Sequence, residues 1–144
     1  MFSYQALDRV ADAYNPLLGV AWLIVSVYPL FDRRWRVAGI RIGLGLAALL
    51  IAYGLMWLDS ALSLWASLGL DYSTHTAVSL ALAMSTVIIF PASRLPVAVS
   101  LLGYFGLMLY QRYHTPLDII STSLVLCGPL VLLTILYRRL ALRH

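Results

Sequence analysis

Lysine and glutamate are missing from this chain, and with them the side chains that most often solvate exposed helices. All six acidic residues are aspartate and all ten basic residues arginine. Charged residues make up 11% of the sequence, against roughly 25% in soluble domains. So little charge, beside 62% hydrophobic residues and a mean hydropathy of +0.88, excludes a disordered chain, a nucleic-acid-binding module and an acidic or basic tail. The formal net charge of +4 reads as arginines placed at membrane edges rather than as a surface for an anionic macromolecule. Cysteine is scarcer still: Cys127 stands alone inside an apolar run, so no internal disulfide can form and the redox compartment is unmarked. Linkers, low-complexity stretches and repeats are also lacking, so residues 1–144 form a single domain.

What is present is a series of apolar runs. Residues 16–31, 37–58, 76–91, 95–110 and 117–137 come near the roughly 17–25 residues that a membrane-crossing helix needs. The expected architecture is therefore all-α, a polytopic membrane bundle of about five spans, with flanking arginines such as Arg41 snorkelling to the headgroups. Residues 1–15 carry Asp8 and Asp12 against Arg9, unlike the positive leader of a cleavable signal peptide. Leu7, Val10 and Tyr14 share a helical face there and the two aspartates lie on another, which predicts a separate interfacial helix. Residues 59–70 are a second candidate of that kind, with Ser60, Ser63 and Ser67 as a polar stripe and Leu64, Trp65 and Leu68 as apolar surface. Pro91 and Pro96 bracket a tight turn that makes the third and fourth spans an antiparallel hairpin.

Five spans put the termini on opposite faces, and arginine decides which is which. With the N-terminus outside, the inner side holds Arg33, Arg34, Arg36, Arg41, Arg94, Arg138, Arg139 and Arg143, and the outer side only Arg9 and Arg112. That bias follows the positive-inside rule and predicts a cell-membrane protein with a cytoplasmic C-terminus.

This topology brings two polar clusters to the outer side, each at the start of a span: Asp71 to Thr76, and Gln111 to Asp118. Two histidines and a carboxylate at one mouth of a bundle suffice for acid-base or nucleophilic work. A plain structural role stands beside that. Thr115, Pro116 and Asp118 fit an N-cap, a first helical position and an acid in the first turn, and Ser73 or Thr74 would cap the third span. Tyr104, Tyr110, Tyr113, Trp57 and Trp65 read as interfacial aromatics, and Gly43, Gly45 and Gly54 as close-packing positions.

Ser73-Thr74-His75-Thr76-Ala77 followed by His114-x-x-x-Asp118 resembles the second and third motifs of the type 2 phosphatidic acid phosphatase superfamily. The form with Arg112 two residues before His114 is similar to the lipid-phosphotransferase branch that includes the sphingolipid synthases. The resemblance covers about residues 58–137. It implies that His114 attacks phosphorus and becomes a phosphohistidine, that Asp118 bonds its other ring nitrogen, and that His75 protonates the leaving alcohol and then activates water. It also implies that Ser73, Thr74 and the N–H groups opening the third span cradle the phosphate beside Arg112, with no metal or other cofactor. The family glycine before the second-motif histidine is Thr74 here, the usual third-motif arginine is Met108, and the first motif is absent. Arg34 and Arg41 have its spacing but precede the second span, about 30 Å from the mouth.

The expected function is therefore an integral membrane lipid phosphatase or phosphotransferase, with a lipid phosphate as substrate and membrane lipids around it. The alternative is a non-catalytic lipid-binding or complex-stabilising subunit, alone, as a homo-oligomer or within a larger membrane assembly. A histidine-ligated haem, or a metal held by both histidines with Asp71 or Asp118, are further alternatives.

Overall fold

The computed structural model describes residues 4–142 as five helices: α1 (Tyr4–Val27), α2 (Trp35–Leu62), α3 (Thr74–Ile89), α4 (Arg94–Tyr110) and α5 (Pro116–Leu142). Short 3-10 turns at Tyr28–Leu30, Ala66–Leu68 and Pro91–Ser93 join them, and no strand occurs among the described residues. Four helices are long and apolar enough to cross a membrane, at 5–30, 35–62, 91–110 and 116–141. The fifth, α3, has 16 residues and is about 24 Å long at 1.5 Å per residue. It packs against all four others and so forms the centre of the bundle.

Small hydroxyl side chains lie inside the bundle while large apolar ones cover its outside, unlike a soluble domain. Ser26, Ser73, Thr76, Ser79, Ser85, Thr86 and Thr122 are buried, while Leu50, Trp57, Leu95, Leu102, Leu124 and Leu132 lie on the outside. Inside α3 the hydroxyls of Ser85 and Thr86 donate to the carbonyls of Ala81 and Leu82 at 2.7 and 2.8 Å, so they need no water. Ala48, Ala52, Ala77 and Ala81 form the seam where α2 meets α3, and such small residues let helices approach without a hydrophobic drive. This is the packing of a membrane-integral protein.

Only glycine fits at position 45, because an added Cβ would collide with the Trp22 indole that packs there. Gly45→Ala is expected to lower stability by about 1–3 kcal/mol through overpacking. Gly43→Ala meets nothing within 4 Å and should be neutral or stabilising. Thermal melts of the two variants in one detergent compare these outcomes.

Two sequence expectations are revised. Residues 4–15 are not a separate interfacial helix: α1 runs unbroken through Pro16 to Val27. Proline removes one backbone donor, a loss that helices in apolar surroundings tolerate when neighbouring helices pack on them. Residues 59–70 are likewise not one interfacial helix, since α2 continues to Leu62 and Ser63 ends it in the left-handed conformation. The hairpin turn between α3 and α4 is present at 90–93, and Arg143 lies outside the described residues.

Candidate functional site

The loop before α3 and the loop before α5 meet at one end of the bundle, and hydrogen bonds fix how they meet. Ser73 caps α3, accepting from the Thr76 N–H at 3.2 Å while its hydroxyl donates to Thr76 Oγ1 at 2.8 Å. Its own N–H donates to Thr122 Oγ1 of α5 at 3.1 Å. On the other side, Thr115 and Asp118 form a reciprocal capping pair. The Thr115 N–H and hydroxyl both donate to Asp118 Oδ2 at 2.8 Å, and the Asp118 N–H donates to Thr115 Oγ1 at 3.3 Å. Asp118 Oδ1 accepts the Asp71 N–H at 2.8 Å, which ties the two loops together.

That arrangement brings His75 and His114 together, with ring centroids 6.2 Å apart. Tyr113 lies 6.3 Å from His75 and nearly parallel to it. An open cavity of about 510 Å³ adjoins His114, lined also by Asp71, Arg112, Tyr113, Pro116 and Asp118, with His75 outside its lining. His75 is exposed, whereas the His114 side chain keeps only 9% of its surface. Burial holds the His114 pKa below the usual histidine value and His75 adds to the effect, while Asp71 and Asp118 act against both. His114 is therefore a neutral imidazole at pH 7, with a lone pair to offer.

The carboxylate facing its ring is not the expected one. Asp71 Oδ2 stands 3.5 Å from His114 Nδ1, an ion pair only when the ring is protonated. Asp118 spends its oxygens on Thr115 and Asp71 and makes no hydrogen bond to His114 among the described residues. Its capping role follows from geometry: an acid at the third helical position points back at the cap residue, which is nearer than the histidine before it. At 3.5 Å the Asp71 contact is no hydrogen bond, and His114 Nδ1 is buried without a hydrogen-bond partner among the described residues. Ser73 also departs from its expected place, since it is fully buried and its oxygen is committed to the cap. Thr74, half-buried at the first position of α3, is the more accessible of the two.

Arg112 owes its position to an unusual turn. The Tyr113 and Arg112 N–H groups donate to the carbonyls of Met108 and Leu109, both at 3.1 Å, closing α4 with a Schellman motif. Arg112 occupies the left-handed position at φ 57°, where glycine is usual. Such strain costs on the order of 1 kcal/mol, and Arg33 and Ser63 share it. Arg112→Gly is expected to raise stability by up to about 1 kcal/mol while weakening anion binding at the cavity. Paired thermal melts and titrations with an anionic lipid check this opposition, and loss or gain of both together would refute it.

Two further residues hold the site and were not expected in it. Asp8 of α1 accepts from Gln111 Nε2 at 2.6 Å and from the Tyr113 hydroxyl at 2.8 Å, and Asn15 donates to the His75 carbonyl at 3.4 Å. Only the continuity of α1 past Pro16 brings them there, and no local pattern announces it. Among the described residues no three histidine, cysteine or acidic side chains are grouped to hold a metal. No family model matches the chain, and no curated protein or solved structure does.

Proposed function

We propose that the histidine cavity is the active site of a membrane-integral lipid phosphatase or phosphotransferase that works through a phosphohistidine. The observation that carries this is the approach of the His75 and His114 rings to 6.2 Å, a gap that a tetrahedral phosphate bridges. His114 Nε2 attacks phosphorus, and the bond from phosphorus to the lipid alcohol oxygen breaks. Protonated His75 gives its proton to that oxygen. Neutral His75 then takes a proton from water, or from an acceptor hydroxyl, whose oxygen attacks the phosphohistidine and restores His114. Asp71, the carboxylate nearest Nδ1, offsets the positive charge the His114 ring gains on phosphorylation, and Arg112, with Thr74 at the opening of α3, meets the phosphate oxygens. A single arginine suits a monoanionic diester head better than a dianionic monoester.

Arg9 and Arg112 belong to the cavity end, and Arg33, Arg34, Arg36, Arg41, Arg94, Arg138 and Arg139 to the other. By the positive-inside rule the cavity then faces outward from the cell membrane, with the N-terminus, and the C-terminus is cytoplasmic. The substrate head would sit at the interface while its chains lie between helices.

Purified protein, given a panel of monoester and diester lipid phosphates with chelator present, is expected to release phosphate or headgroup from at least one. No turnover across the panel would favour the second reading, a non-catalytic lipid-binding subunit, which the burial of Ser73 and the single arginine support. The pH profile has a definite sign. Because the folded His114 pKa is lowered, the nucleophile stays neutral through about pH 6.5, and the acid limb of kcat/KM lies below that value. By linkage, the stability tied to neutral His114 is full above about pH 6.5 and declines as pH falls toward the lowered folded pKa.

A further inference from the structure

We propose that the end of the bundle opposite the histidine cavity binds one anionic phospholipid in a slot between α2 and α5. Two cavities there, of about 240 and 200 Å³, share Ile40, Tyr137 and Leu140 and so form one continuous groove. Arg36 and Arg41 edge the first. The second runs on past Gly43 and Ala47 of α2 and Leu133 and Leu136 of α5. From Arg36 to Ala47 the helix rises about 16 Å, so the slot is basic at its mouth and apolar along its length. A Cβ added at Gly43 would meet nothing within 4 Å, so the groove floor is open.

Arg36 is placed to meet a phosphate, and Arg41 adds its charge beside it. Arg41 Nη1 donates to the Val25 carbonyl at 2.9 Å, which holds the guanidinium toward α1, where the residue also lines a cavity with Ile24, Tyr28 and Phe90. Arg36 is exposed, and neither arginine forms an ion pair among the described residues. A planar fork suits a phosphodiester oxygen, and basic pockets between spans on a cytoplasmic side suit anionic headgroups. The apolar continuation requires a ligand with a chain, which distinguishes a lipid from a free anion. The site is independent of the chemistry proposed for the histidines.

Native mass spectrometry of the full chain in detergent, titrated with dioleoyl phosphatidylglycerol or dioleoyl phosphatidylcholine, tests this. One phosphatidylglycerol should be retained about 30-fold more tightly than phosphatidylcholine, as two arginines near the surface provide. Arg36→Gln, an exposed change, should remove about fivefold of that preference. Gly43→Leu, checked for an unchanged melt, should weaken retention of both lipids. His114→Ala should leave retention unaltered, separating this site from the histidine cavity. Equal retention of the two lipids by the wild type, competition by millimolar inorganic phosphate alone, or full retention by Gly43→Leu would overturn the proposal.

Discussion

Replacing His114 by alanine is expected to lower turnover of a lipid phosphate by at least about 10³-fold, the scale on which removing a covalent nucleophile acts. The fold should survive. Among the described residues the His114 ring makes no hydrogen bond, its contact to Asp71 is 3.5 Å long, and burial already disfavours its charged form. Truncation should therefore change stability by no more than about 1 kcal/mol. His75→Ala should cost less, about 10²- to 10⁴-fold, because it removes proton transfer and leaves the nucleophile. A substrate with a leaving group that needs no proton should recover much of that loss in His75→Ala and none in His114→Ala. Equal turnover by wild type and His114→Ala would exclude His114 as the attacking group.

The second large effect separates the two carboxylates. Asp118→Ala should lower stability by about 2–4 kcal/mol, since it strips the acceptor from the Thr115 N–H, the Thr115 hydroxyl and the Asp71 N–H at a buried position. Asp71→Asn should scarcely alter stability, because its side chain is 74% exposed. Its expected signature is kinetic: a fall in kcat of about 10- to 100-fold, as for an outer carboxylate that supports a working histidine. Asp71 raises the His114 pKa, so removing its charge should also move the acid limb of the pH profile further down. Thermal melts and pH-rate profiles of both variants separate the roles. A normal profile in Asp71→Asn, or a stable and inactive Asp118→Ala, would return the supporting role to Asp118.

Local signals in the sequence were sound where a single helix end decides the outcome. Ser73 before α3, Thr115 and Pro116 opening α5, and the two prolines of the α3–α4 turn each act within a few residues. The convergence of the histidines was legible too, because the number of spans between two motifs sets which end each occupies. The contact between Asp71 and His114 was not legible, since it depends on how two loops meet once Asp118 has been taken by its cap. The family motif pairs His114 with Asp118, whereas the carboxylate nearest its ring in the structure is Asp71. Asp8 and Asn15 reach the site only because α1 passes Pro16 without a break. A proline inside an apolar run carries either meaning until the neighbouring helices are known.

The most direct measurement is the trapping of the phosphoenzyme. Wild-type protein would be mixed with a ³²P-labelled lipid phosphate, quenched in alkali within the first turnover, and the labelled peptide mapped. The expected result is a label stable to alkali and labile to acid, on the peptide that contains His114, and absent from His114→Ala. Steady turnover without any such label, or a label that persists in His114→Ala, would contradict the account.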